Sequence, residues 1–161
     1  MTHHSYNGRD GYSEDSLLPL SGIQHIAFCE RQWALIHIER LWLDNVRTVE
    51  GHLMHERAHD SSLYEDDGDH ITMRAVPLVS RRLGLFGQAD VVEFWPVEDG
   101  ARGGARLLGH QGLWLPKPIE YKRGKPKSDD RDQVQLCAQA MCLEEMLGAE
   151  ITTADLYYGQ P

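Results

Sequence analysis

The sequence predicts an α/β domain built on a mixed sheet. Two helical segments come first, strand patterns rich in Val, Ile, Phe and Trp fill the middle, and a long helix and one further strand follow. This order of elements is typical of folds in which helices flank a sheet. A length of 161 residues suits one domain with its own hydrophobic core.

The first helix is predicted to begin at Ser21, which would form a capping box with Gln24 three residues later. Its buried side is predicted to comprise Ile23, Ile26, Ala27, Trp33 and Ile36. A second helix is predicted over residues 46–61, and the acidic segment 64–70 is predicted to be a loop.

The strands are predicted from apolar patterns that lie between turn residues. They cover 71–80, 83–96, 117–124 and 151–159, with a short strand at 106–109 inside a hairpin connection. These segments would supply the sheet.

A helix is predicted over residues 128–148, with Ser128 or Asp129 as its N-cap and Gly148 as its end. One apolar row would comprise Leu136, Ala140, Leu143 and Leu147, and an adjoining row Val134, Cys137 and Met141. Cys137 and Cys142 are five residues apart and do not share a helix face. Both are therefore predicted to be core thiols.

The composition is that of an ordinary globular chain, with 41% hydrophobic and 25% charged residues. No apolar run is long enough to span a bilayer, and the polar N-terminus does not resemble a secretory signal. Residues 1–16 are predicted to be a disordered tail and 17–161 the folded domain. Three cysteines do not suggest a disulfide framework, so a cytoplasmic location without membrane association is expected.

The net charge of −9 is concentrated in the first 70 residues, whereas residues 117–127 form a dense basic stretch. An acidic protein can bind DNA when its basic groups face one groove. Arg123, Lys125 and Lys127 are therefore predicted to contact phosphates. The alternative is that they only keep the surface soluble.

The sequence His55-Glu56-Arg57-Ala58-His59 matches the H-E-x-x-H pattern of zinc proteases. Short matches of this kind arise by chance in a chain rich in His and Glu. No third ligand follows at the required spacing, so a zinc protease is the weakest of the hypotheses.

Asp90 and the pair Glu120 and Lys122 form the strongest candidate site. Side chains alternate along a strand, so Glu120 and Lys122 would point to the same face. Two carboxylates suit Mg²⁺ or Mn²⁺, which activates water for phosphodiester hydrolysis, and a lysine can position that water. The carbonyl of Tyr121 is a further candidate ligand. An isolated E-x-K is more often a pair of solvent-exposed charges.

These motifs resemble the RecB-like branch of the PD-(D/E)xK nucleases, whose core is restriction-endonuclease-like. The resemblance rests on L-S-G-I-Q-H-I-A-F-C-E-R-Q-W-A-L, G-Q-A-D, E-Y-K-R-G-K-P-K and Q-L-C-A-Q-A-M-C-L-E-E, and covers residues 17–161. In detail the chain is similar to the CRISPR-associated exonucleases of the fourth Cas family.

The resemblance implies a nuclease that trims single-stranded DNA ends and processes prespacers beside an adjacent motif, together with the CRISPR integrase pair. It implies that His55 joins Asp90 and Glu120 as a metal ligand. It also implies a 4Fe–4S cluster on four cysteines, of which Cys29 matches the first. The other three do not occur here, so a fragment or the nuclease part of an integrase fusion is expected.

One position departs from the pattern Q-x-x-x-Y of this branch, because Gln135 is followed by Gln139 instead of a tyrosine. Gln135 is still predicted to bind DNA or the active site. Two alternatives remain: a non-cleaving module that binds DNA ends and the integrase, and a RecB-like repair nuclease.

Overall fold

The structure, a computed structural model, describes residues 6–7, 11–39, 64–98 and 102–159. The helix predicted over 46–61, with His55 and the H-E-x-x-H sequence, lies outside these ranges. The strands are β1 Tyr6–Asn7, β2 Gly11–Tyr12, β3 Leu18–Pro19, β4 Glu65–Asp66, β5 Ile71–Ser80, β6 Leu85–Val97, β7 Leu113–Arg123 and β8 Asp155–Gly159.

The main sheet is mixed, as predicted, and runs β4-β5-β6-β7-β8, with β3 paired to β6 off this path. Antiparallel pairing joins β4 to β5, β5 to β6 and β6 to β7. β8 and β3 are parallel to their partners, because each reaches the sheet from a helix or leads into one.

The helices are α1 Ser21–Phe28, α2 Glu30–Trp33 with a π-helical turn Ala34–Ile38 after it, and α3 Arg131–Leu147. α3 ends as predicted at Gly148, whose φ of 61° is the left-handed conformation that glycine adopts readily. Of the helices that the structure describes, none is long and apolar enough to cross a membrane.

Both predicted N-caps are wrong. The residue before α1 is Leu20, and Ser21 already lies within the helix. The residue before α3 is Asp130, whose side chain makes no capping hydrogen bond, while Asp129 binds the backbone and guanidinium of Arg131. Long-range and ionic partners have replaced the local caps.

The core lies between the middle of the sheet and α3. Its buried members are Leu20, Ile71, Leu78, Ala89, Val92, Phe94, Ala138, Cys142 and Leu143. The apolar row predicted on α3 is confirmed at Leu136 and Leu143, whereas Val134 and Cys137 of the adjoining row are exposed. The buried side of α3 turns instead toward the polar residues Asp132, Gln135 and Gln139.

The predicted buried side of the first helix is also only partly confirmed. Ile23, Trp33 and Ile36 are half-buried, but Ile26 and Ala27 are exposed. The short strand predicted at 106–109 is wrong: Ala105 makes one bridge to Trp114, and a turn follows.

The end of the predicted tail has a defined conformation. A 3-10 turn covers Glu14–Ser16, Ser16 is buried, and the Tyr12 N–H donates to the Arg81 carbonyl at 2.8 Å. Residues 11–16 therefore pack on the turn after β5.

Candidate active site

The site lies where β6 and β7 separate. Val91 pairs with Ile119, and the pairing ends before the next positions toward the start of β6, Asp90 and Glu120. Instead the Tyr121 N–H donates to the Asp90 carboxylate, from N to Oδ2 at 2.8 Å. Two buried acids, each 2% exposed, thus lie at opposing strand positions where the ladder is interrupted.

The other edge of β6 is interrupted at the same point. The register with β5 passes over Ala75, opposite Asp90, and Ala75 has a φ of 53°. This left-handed backbone is unfavourable for a residue with a Cβ. The Gln88 amide donates to the Ala75 carbonyl, from Nε2 to O at 2.8 Å. Gln88 therefore stabilises the irregular backbone beside Asp90.

Gly87, the first residue of the G-Q-A-D motif, lies where a larger residue would not fit. A Cβ at this position would come within 2.9 Å of the Leu20 Cβ. The glycine thus allows the start of α1 to lie directly against β6. A cleft of about 400 Å³ lies at this junction, lined by residues that include Ser21, Gln88 and Gln135.

Glu120 is held by three donors. Lys122 Nζ is 2.8 Å and Gln135 Nε2 is 2.9 Å from Glu120 Oε1. Gln139 Nε2 is 2.6 Å from Glu120 Oε2. The prediction that Glu120 and Lys122 share a strand face is confirmed, and their burial excludes the solvent-exposed alternative.

Lys122 also donates to Gln135, from Nζ to Oε1 at 2.8 Å. Gln135 thus joins the lysine and the carboxylate through both ends of its amide. An ammonium group has three N–H donors, so these two contacts fix its direction and leave a third donor.

Gln139 lies one helical turn beyond Gln135 and is completely buried. Its Oε1 has no hydrogen-bond partner among the residues that the structure describes. A buried polar atom without a partner costs about 1–3 kcal/mol. The sequence prediction mentions Gln139 only because the family pattern Q-x-x-x-Y has a tyrosine at this position. The spacing of Gln139 from Gln135 nevertheless places both glutamines on one helix face.

Asp132 forms a second buried polar cluster, which the sequence reasoning missed. It is completely buried and accepts from Gln24 Nε2 at 2.5 Å, Lys127 Nζ at 3.1 Å and Tyr158 Oη at 3.0 Å. Burial would raise the pKa of Asp132, but the hydrogen bond and charge of Lys127 hold it below its ordinary value. Burial and the bond to Asp132 raise the pKa of Tyr158 to about 12.

The three basic residues that are predicted to contact phosphates differ in their surroundings. Arg123 is exposed at the end of β7 and Lys125 is exposed just after it, whereas the Lys127 ammonium is paired with Asp132. The side chain of Lys127 is 38% exposed. It retains a solvent-facing side.

The carboxylate pair suits a divalent cation. Asp90 and Glu120 are both buried, and Glu120 is paired with Lys122. Carboxylate oxygens are the ligands that Mg²⁺ and Mn²⁺ prefer. Within the described ranges no three His, Cys, Asp or Glu side chains gather as a metal site. The predicted third ligand, His55, lies outside them.

The cysteines do not assemble into a cluster site. Cys29 is exposed between α1 and α2, Cys137 is exposed on α3, and Cys142 is in the core, where burial raises the pKa of its thiol to about 11. Cys142 is thus a core thiol as predicted, and Cys137 is not. The residues of this chain do not fit a four-cysteine cluster.

No protein-family model matches the chain. Two curated proteins are similar to it, and both are named "CRISPR-associated exonuclease Cas4/endonuclease Cas1 fusion". The one from Geobacter sulfurreducens is 29% identical over 140 residues, 80% of this chain and 22% of that protein. The one from Leptospira interrogans serogroup Icterohaemorrhagiae serovar Lai is 26% identical over 144 residues, 85% of this chain and 23% of that protein.

The chain therefore spans about a fifth of the length of the curated relatives that it matches. The similarity confirms the predicted resemblance to CRISPR-associated exonucleases.

Proposed function

We propose that the chain is a metal-dependent DNA exonuclease with a PD-(D/E)xK core, which trims single-stranded ends of prespacers for CRISPR spacer acquisition in the cytoplasm. The observation that carries this proposal is the buried pair Asp90 and Glu120, with Lys122 bonded to Glu120 where β6 and β7 separate. We assign residues 17–161 to the nuclease domain.

Asp90 and Glu120 would hold Mn²⁺ or Mg²⁺, with His55 and the Tyr121 carbonyl as further proposed ligands. Such a cation polarises the scissile phosphate and lowers the pKa of a bound water. The Tyr121 N–H orients Asp90, and three donors orient Glu120. The carboxylates are thereby fixed before substrate arrives.

Lys122 would act on the reacting phosphate. Its contacts with Glu120 and Gln135 leave one N–H, which can position the attacking water or stabilise negative charge that develops on the phosphate. Gln135 holds Lys122 and Glu120 in one arrangement and also lines the cleft beside α1.

Arg123, Lys125 and Lys127 would bind the phosphates of the DNA strand. A second cleft supports this path: it is lined by Gln24, His25, Phe28, Gln32, Lys127 and Arg131. Phe28 is 54% exposed, and the Arg131 guanidinium carbon lies 4.3 Å from its ring centroid. An exposed aromatic ring beside cations is the combination on which bases of single-stranded DNA stack.

The proposed partner is based on the names of the two relatives, which describe a fusion of the exonuclease with the endonuclease Cas1. We propose that this chain also works with the CRISPR integrase pair. No iron–sulfur cluster is assigned a role in the reaction, because Cys29 is the one cysteine of this chain that matches the family pattern.

The deciding experiment is a cleavage assay on single-stranded and overhang DNA with Mn²⁺, Mg²⁺ or EDTA. Wild type is compared with Glu120→Ala and with Glu98→Ala, which removes an exposed acid at the end of β6. Metal-dependent cleavage should vanish in Glu120→Ala and persist in Glu98→Ala. Cleavage that survives EDTA or Glu120→Ala would refute the assigned site.

If wild type binds DNA but cuts none, the chain is a binding module rather than a nuclease. Co-purification with the integrase pair then separates a role in CRISPR adaptation from a repair nuclease, because the repair nuclease has no reason to bind the integrase.

A further inference from the structure

Gln139 occupies its position at a cost to the core. The side chain is completely buried, and its Oε1 has no partner among the described residues, whereas Nε2 is 2.6 Å from Glu120 Oε2. Leucine or methionine would fill a similar volume without an unpaired oxygen. Core packing therefore does not explain a glutamine here.

The two oxygens of Glu120 are held differently. Oε1 accepts from both Lys122 and Gln135, but Oε2 accepts from Gln139 alone among the described residues. The terminal torsion of a glutamate is broad, so contacts to one oxygen leave the carboxylate plane poorly fixed. The Gln139 amide supplies the second point that fixes this plane.

Four lone-pair sites on a carboxylate and three donors leave one site, on Oε2. Gln139 therefore binds the same oxygen that retains acceptor capacity for a cation. The direction of that oxygen depends on Gln139 more than on Lys122 or Gln135.

We propose that Gln139 is a positioning residue that aims Glu120 Oε2 at the divalent metal, where the related nucleases place a tyrosine. The inference rests on the proposed function, since it concerns the same metal site. The i, i+4 spacing of Gln135 and Gln139 makes α3 a two-amide clamp on Glu120, and the unpaired oxygen is the cost of the second amide.

The test measures metal affinity and stability in the same variants. Gln139→Leu and Gln139→Met remove the donor and the unpaired oxygen together, and Gln133→Leu is the matched control at an exposed position of α3. Mn²⁺ binding is followed by isothermal titration calorimetry, with Glu120→Ala as the reference for loss of the site. The urea midpoint is measured without metal.

The Mn²⁺ dissociation constant should rise about tenfold or more in both Gln139 variants, which is the typical effect of removing an outer partner of a metal ligand. The urea midpoint should change little, because the loss of the unpaired Gln139 oxygen offsets the loss of the donor to Glu120 Oε2. Gln133→Leu should change neither quantity. A merely structural glutamine would instead leave the Mn²⁺ dissociation constant unchanged.

Unchanged Mn²⁺ affinity in both Gln139 variants would overturn the inference alone. Wild type that binds no Mn²⁺, or Glu120→Ala that binds it equally well, would overturn the proposed metal site and this inference with it. The two failures are therefore distinguishable.

Discussion

Glu120 and Asp132 are both fully buried carboxylates that accept hydrogen bonds from three side chains, but their partners come from different places. Glu120 is held by its own strand and by α3. Asp132 joins α1 through Gln24, the loop before α3 through Lys127, and β8 through Tyr158. Asp132 therefore connects elements, whereas Glu120 is oriented within one strand–helix unit.

The charges differ as well. Asp132 has Lys127 as a counterion, and each of its oxygens accepts at least one hydrogen bond, as in Glu120. Glu120 has Lys122 as its counterion, and a second buried carboxylate, Asp90, lies at the opposing position of β6. The comparison teaches that burial and hydrogen bonding alone do not identify a functional carboxylate. Of the two, Glu120 is distinguished by a second buried carboxylate at the opposing strand position.

The largest effect is expected from breaking the Glu120 cluster at its lysine. Lys122→Ala should lower the cleavage rate by about 100-fold or more, because it removes the donor aimed at the reacting phosphate. DNA binding should be largely retained, since several other cations remain. The rate is measured in single turnover on single-stranded DNA with Mn²⁺.

Lys117→Ala is the matched control for that variant, because Lys117 lies on the same strand and is also paired with an acid, Asp155. Its cleavage rate should equal that of wild type. Retained cleavage in Lys122→Ala would disprove the catalytic assignment.

Breaking the Asp132 cluster should instead affect the stability of the fold. Asp132→Ala removes one acceptor from three donors on separate elements and should lower the free energy of unfolding by about 3 kcal/mol. Urea unfolding measures this, with the exposed neighbour Asp130→Ala as the control. If Asp132→Ala unfolds like wild type, the cluster does not hold these elements together.

Gln24 shows why local patterns found the elements but not all contacts. Its spacing from Ser21 is that of a capping box, yet its amide bonds Asp132, 108 positions later. The helix was predicted correctly because its existence depends on local pattern, whereas the cap was wrong because a distant carboxylate is the better partner.

The contacts of the candidate site also divide into those that a local sequence pattern predicts and those that it does not. Glu120 and Lys122 are two positions apart on a strand, so alternation alone predicted their contact. The contact of Gln139 with Glu120 depends on how α3 crosses the sheet. The left-handed backbone of Ala75 is stabilised by a hydrogen bond from Gln88 on the adjacent strand. Neither follows from a local pattern, since an alanine in a strand sequence gives no sign of a positive φ.

The Asp132 cluster should also make stability depend on alkaline pH. Tyr158 has a pKa raised from 10.0 to about 12, so the folded state favours the neutral phenol. This contribution is fully present below pH 10 and is lost as the pH rises toward 12. The difference in unfolding free energy between wild type and Tyr158→Phe should therefore change as the pH rises from 10 toward 12.

Tyr157→Phe is the control for the alkaline titration, because Tyr157 is exposed on the same strand. It should unfold with the same pH dependence as wild type. An identical alkaline slope in Tyr158→Phe would show that the phenol is not held by Asp132 in solution.

The smallest expected effect separates Lys125 from Lys127. DNA affinity is measured in EDTA over a range of salt, so that no cleavage occurs. Lys125→Ala should reduce the magnitude of the log–log salt slope by about 0.7, because an exposed lysine that binds phosphate releases a counterion from single-stranded DNA. Lys127→Ala should reduce it less, since Asp132 already neutralises much of that charge. Equal reductions would show that Lys127 leaves Asp132 for the phosphate, and no change in either variant would remove both lysines from the DNA path.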